Sequence, residues 1–225
     1  LTVSSFVFPL ITFPYVSRVL LPAGTGRVSF ANSVVTYFVM ISQLGIPTYG
    51  IRACAVVRDD EEKLKKTVYE LFIINVVMSI FAYVVFFIAL ASVPRLRADR
   101  NLFLITSTLI FFNTIGVEWL YKALEQYTYI TIRSIIFKFI ALIAMFVLVH
   151  NAGDYVIYGG ISIFAASASN VFNFIRLRKI VGREKVSNLD LKKHFKPIFT
   201  FFIISCATTI YTNLDNVMLG FIKDN

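Results

Sequence analysis

The 225-residue chain is 57% hydrophobic and only 16% charged, with a mean hydropathy of +0.74 and a formal charge of +9. That balance excludes an ordinary soluble domain and places the chain among polytopic membrane proteins. The charge does not point to nucleic acid, because most basic residues fall in short gaps between apolar runs, where they control topology.

Seven apolar spans follow one another, at about 1–21, 28–49, 68–93, 102–121, 129–149, 155–175 and 198–222. The expected fold is an all-α transmembrane helix bundle. The first span is apolar on every face, and at about 1.5 Å per residue it covers roughly 30 Å, the hydrocarbon thickness. Pro9 and Pro14 each remove a backbone bond, which a membrane tolerates only beside neighbouring helices or a water-lined cavity. Arg18 therefore either faces such a cavity or, within about one turn of Pro22, snorkels to the interface.

Pro22–Arg27 reads as a tight polar turn. The second span carries Asn32, Ser33, Thr36, Ser42 and Gln43, which suits an interior helix. It breaks in GIPTYGIR, Gly45 to Arg52. Ala53–Thr67 reads as a solvated helical loop. The third span has few polar residues and is expected to meet lipid on one side. The fourth ends in EWLYK, and the short connection Lys122–Thr128 predicts that spans four and five are antiparallel neighbours. The sixth is again polar, with Ser162, Ser167, Ser169, Asn170 and Asn173. A long basic loop, Arg176–Lys196, leads to the seventh, whose interior holds Thr208, Thr209, Thr212, Asn213, Asp215 and Asn216.

Basic residues concentrate after spans two, four and six, so these exits and the N-terminus are expected in the cytoplasm. Lys138 lies about 13 Å inside its span at helical rise, too deep for easy snorkelling. A cation there costs about 2.5–3.5 kcal/mol or more and is expected to be functional or paired. Asp215 is the other deep charge; it pairs with a cation or binds a coupling proton or sodium ion. Glu118 and Lys122 stand four apart on one helical face and should pair, as a gate or clamp. Trp119, Tyr121, Tyr127 and Tyr129 read as an interfacial aromatic belt. His150 and His194 read as interfacial, Gly159-Gly160 as a site of close helix packing. Cys54 and Cys206 match no disulfide framework or metal spacing. GTGR at Gly24 lacks the Lys-Ser/Thr of a P-loop, and no nucleophile elbow occurs, so no enzyme is expected.

Three stretches, taken together, carry a family likeness: FPLITFPYVSRVL with its glycine-containing turn (Phe8 to Gly26), GIPTYGIR, and GVEWLYKALEQYTYITIRSIIFK (Gly116 to Lys138). The chain resembles the bacterial polysaccharide flippases, the O-antigen and capsule repeat-unit transporters of the multidrug, oligosaccharidyl-lipid and polysaccharide exporter superfamily. The resemblance implies two pseudo-symmetric lobes. Residues 1–195 would be the first six-helix lobe and 196–225 the first helix of a truncated second lobe. Likeness between Thr12–Leu21 and Thr209–Gly220 fits such a repeat. The first residue is Leu, so a natural N-terminus is expected upstream and the chain to be a piece of a longer transporter.

The implied substrate is an oligosaccharide on a polyprenyl diphosphate, flipped across the bacterial inner membrane for surface polysaccharide synthesis. Membrane lipid and other polysaccharide-assembly proteins are the implied partners. No cofactor is implied beyond a coupling ion, H+ or Na+. Arg18, Lys138 and Arg52 are the implied cationic cavity, although Arg52 also suits a positive-inside anchor. The alternative is a cation-coupled multidrug antiporter of the same superfamily, against which the deep charges lean basic.

Overall fold

A computed structural model describes residues 2–182 and 188–222. Among these residues the chain is helical, with no strand. In order it forms α1 (Thr2–Val19), α2 (Leu21–Gln43), α3 (Ile46–Val56), α4 (Glu61–Ser92), α5 (Pro94–Ala98), α6 (Arg100–Gly116), α7 (Glu118–Ala123) and α8 (Tyr127–Leu148). A short 3-10 turn, Ala152–Asp154, then leads to α9 (Tyr155–Ile163), a π-helical segment (Phe164–Ala168), α10 (Asn170–Val181) and α11 (Lys192–Ile222). Five helical runs are long and apolar enough to cross a membrane: Leu21–Val56, Glu61–Ser92, Tyr127–Leu148, Ala152–Val181 and Lys192–Ile222. The all-α membrane bundle expected from composition is the observed architecture.

Helix α2 is the hub. It packs against α4, α6 and α11, and also touches α1 and α9. Its Ser33 and Ser42 are buried, as an interior polar span requires. The sixth span is interior too, with Ser167, Ser169, Asn170 and Asn173 buried. Helix α4 shows why a greasy helix still has two sides. Val77, Ile80, Phe81, Val84, Phe87 and Ile88 face outward, while Glu70, Asn75, Ser79 and Phe86 are buried. Asn75 donates its amide to the Ser42 carbonyl at 2.8 Å, and Ser79 bonds Thr114 of α6. Such bonds tie helices together where lipid offers no competing partner.

Three expectations are corrected and a fourth is narrowed. Pro22–Arg27 is the first part of α2, not a turn. Proline is tolerated in a helix's first turn, where its missing amide has no intrahelical acceptor. The chain reverses instead at Leu20-Leu21, and Gly24 lets this corner close: a Cβ there would meet Leu20 at 3.0 Å. Spans four and five are neighbours where α7 packs on α8, but α6 and α8 do not pack along their length. Helix α8 packs on α9 and the π segment, and α6 on α9 and α10. The sixth span slides between them because it is lined with small residues; a Cβ on Gly159 would lie 2.5 Å from Leu102 of α6. Trp119 and Tyr121 are not belt residues, being 3% and 0% exposed. Their rings fill the core beside α3 and α10. His194 is likewise buried, at 2%.

The expected break at Gly45 is present. Leu44 and Gly45 both take left-handed backbone angles, with φ of 45° and 76°. A Cβ on Gly45 would lie 2.5 Å from the Phe202 amide nitrogen and 2.9 Å from the Ile198 carbonyl oxygen of α11. The glycine thus permits both the turn and the close approach of α11. At its far end α11 is held again: Arg95 donates to the Gly220 carbonyl at 3.1 Å, and Phe30 stands edge-on to Phe221 at 5.3 Å. Between these points α11 packs along α2, while Thr208, Thr212, Asp215 and Asn216 are exposed and Thr209 is half-buried.

Candidate functional site

Lys138 sits midway along α8 and lines a cavity of about 290 Å³ between α1, α8, α9 and the π segment. Three alanines, Ala141, Ala165 and Ala166, leave the space that larger residues would fill. The π segment adds a residue to one turn at the same level, a distortion that recurs at functional sites. Helix α1 borders the cavity through Phe8 and Thr12. It is pinned on α8 by Tyr15, whose hydroxyl donates to the Val149 carbonyl at 2.8 Å and whose ring meets Phe146 edge-on. The Lys138 ammonium lies 5.8 Å from the centre of the Phe8 ring. Hydroxyls of Thr12, Tyr158 and Ser162 share the wall, and no carboxylate does. An apolar hollow with one cation and three hydroxyls favours an anionic group at mid-depth.

The other expected site residues lie elsewhere. Arg18 is exposed near the end of α1 and does not line this cavity. Arg52 is exposed on α3, with its guanidinium 5.2 Å over the Phe201 ring of α11. Asp215 is exposed on α11 and makes no ion pair among the described residues. The structure therefore does not gather Arg18, Arg52, Lys138 and Asp215 into one cluster. Glu118 and Lys122 do pair, at 2.9 Å, each about one-third exposed. An exposed pair four apart on a helix adds about 0.3–0.5 kcal/mol. What seats α7 is Trp119, whose ring lies so close to Gly50 that a Cβ there would meet it at 2.8 Å.

Two buried polar centres escaped the sequence reading. The first is Arg133, 7% exposed. It donates to the Ser169 carbonyl at 3.0 Å and to Asn170 Oδ1 at 3.3 Å, just where the π segment ends. Asn173 continues the network by donating to the Gly116 carbonyl, and Tyr121 donates to the Asn173 carbonyl at 2.7 Å. Arg133 stands inside the Gly116–Lys138 motif, so its position was visible although its direction was not.

The second centre is Glu70, which is fully buried. Its Oε2 accepts from Lys193 at 2.8 Å and from His194 Nε2 at 2.9 Å, and its Oε1 accepts the Asp190 amide at 2.7 Å. His194 Nδ1 lies 2.8 Å from the Tyr49 hydroxyl. A lone acid in an otherwise apolar run, VYELFIINVV, was the available signal.

Comparison with known proteins adds to this geometry. A family model described as polysaccharide biosynthesis protein matches residues 1–225. A protein of Escherichia coli (strain K12) described as "Putative O-antigen transporter" is 23% identical over 225 residues, covering 98% of this chain and 54% of that one. A protein of Shigella dysenteriae with the same description is 24% identical over 224 residues, covering 97% and 55%. The chain spans about half the length of these curated relatives. No solved structure gives a significant match.

Proposed function

Because the chain belongs to the polysaccharide biosynthesis protein family, we propose that it serves to flip a polyprenyl-diphosphate-linked oligosaccharide across the bacterial inner membrane. In this reading residues 1–195 form the first lobe, residues 196–225 begin the second, and the N-terminus is cytoplasmic. The lipid tail stays in the bilayer throughout. The diphosphate is what resists crossing: an unpaired anion in hydrocarbon costs on the order of tens of kcal/mol by Born solvation.

The observation that carries the proposal is the Lys138 cavity, a cation held midway across an apolar helix beside a hollow without carboxylates. Placing a lysine at that depth costs about 2.5–3.5 kcal/mol or more. The anion and the lysine each lower the other's cost when they meet there. Arg18 and Arg52, both exposed, serve as encounter sites on the way in and out, and Asp215 supplies a carboxylate for pairing or ion coupling. No bond is made or broken.

The test is surface polysaccharide in cells carrying the full-length protein. Lys138→Ala is expected to lower it at least about tenfold, an effect of about 1.4 kcal/mol on the crossing step, with lipid-linked repeat units accumulating. Lys138→Arg should retain most of it. Normal polysaccharide in the alanine variant overturns the proposal. Export of a cationic dye by a protein whose deletion leaves polysaccharide intact replaces it with the antiporter reading.

A further inference from the structure

We infer that His194, clasped between Glu70 and Tyr49, is a proton-binding site that couples proton uptake to the docking of α11 on the bundle. The inference does not rest on the transport proposal, because its readout is the protein's own hydrogen exchange.

The geometry fixes the roles of the two ring nitrogens. Nε2 faces a carboxylate oxygen of Glu70 and so carries a hydrogen. With a neutral ring, Nδ1 accepts from the Tyr49 hydroxyl. When a proton arrives, Nδ1 becomes a donor, and Tyr49 accepts once its hydroxyl hydrogen turns round. Both ring nitrogens keep a hydrogen-bond partner in both states, and no heavy atom needs to move. That matters for a ring only 2% exposed, where an unmatched donor or acceptor is expensive.

Proton uptake changes the charge pairing. With a neutral ring, Lys193 is the cation that balances Glu70. After uptake two cations face one carboxylate. Lys193 is 44% exposed and has water as an alternative, whereas His194 is sealed. The ring therefore takes over the carboxylate with a charge-assisted hydrogen bond, roughly twice as strong as a neutral one. Lys193 and His194 belong to the first turn of α11. Pro197 lacks the amide that would bond the Lys193 carbonyl, so this turn is joined to the rest of the helix at a natural kink point. The pairing state of Glu70 thus acts on the base of α11, which also packs along α2 and α3.

The surrounding charges are few in kind. Helix α3 presents Tyr49 and Cys54, while its Arg52 lies on Phe201 instead. Helix α4 places Lys66 one turn from Glu70, α10 places Arg178 against Phe174, and the approach to α11 brings Asp190. Apart from Asp190, whose amide is the contact, none of these is a carboxylate that competes with Glu70 for the ring.

The test is hydrogen exchange of residues 188–196 in the full-length protein in lipid nanodiscs, corrected for the intrinsic pH dependence of exchange. Protection is expected to rise at least about threefold as the pH is lowered from about 7.5 to about 5.5. His194→Gln keeps a donor toward Glu70 but takes no proton, and its protection should not vary with pH. Tyr49→Phe removes one oxygen and should blunt the rise while leaving the bundle folded. A wild-type protein with flat protection, or either variant with an undiminished rise, overturns the inference.

Discussion

Lys138 and Arg133 stand five residues apart on α8 and have opposite settings. Arg133 is sealed, with two of its guanidinium nitrogens bonded to Ser169 and Asn170. Lys138 borders a hollow. Their replacement should therefore separate stability from function. Arg133→Leu leaves Asn170 Oδ1 without that donor in a buried site, at a cost of about 1–3 kcal/mol, read as a lower unfolding midpoint in detergent. Lys138→Ala, at a residue that borders a hollow and is not sealed in the core, should lower that midpoint less than Arg133→Leu does. A third residue, Asp60, caps α4 by accepting the Lys63 amide at 3.1 Å and pairs with the Lys63 ammonium at 2.7 Å. The side-chain bond to Lys63, then the backbone bond, hold its carboxyl below the usual range. A carboxylate lowered on folding stabilises above its unfolded pKa and loses that contribution as pH falls through the folded one. The first turn of α4 should thus fray in acid, with faster exchange of the amides at Glu62 and Lys63, and Asp60→Asn should weaken that dependence. Depth along a span was legible for these residues. Direction was not, because a helix apolar all round gives no phase from which to read a face.

At the scale of elements, length and hydropathy foretold the helices, and polar content foretold which were inside: α2 and the α9–α10 run. Connection length held only at the joined ends, where α7 packs on α8. The short link from α6 to α8 suggested adjacency, but adjacency in a bundle is set by which surfaces can approach, and the glycines and alanines of the sixth span admit a helix on both sides. The same logic makes Gly45 the most sensitive joint. Alanine there meets backbone atoms of Ile198, Phe201 and Phe202 that have no rotamer to yield, and it must hold a positive φ. Gly45→Ala is expected to destabilise by about 2–4 kcal/mol from strain and overpacking together. Disulfide trapping between cysteines placed on α2 and α11 should slow in that variant; unchanged trapping would mean that α11 does not rest on Gly45. Val117, a buried β-branched residue at φ 37°, marks a second strained joint, between α6 and α7.

The whole molecule is a bundle turned outside-in relative to a soluble protein. Ile132, Ile135, Ile136, Phe139 and Ile143 of α8 face outward, while Arg133, Glu70, Asn75 and Asn173 lie within. Composition alone disclosed this class. The particular polar centres depend on which helices meet, and those partners stand far apart in sequence: Glu70 with His194, Arg133 with Asn170. The most direct measurement is translocation by the full-length protein in vesicles loaded on one leaflet with polyprenyl-diphosphate-linked oligosaccharide, comparing wild type, Lys138→Ala and Lys138→Arg. The account predicts a rate at least about tenfold lower for alanine and a near wild-type rate for arginine. Equal rates for all three would contradict a mid-membrane cation as the anion's partner in crossing.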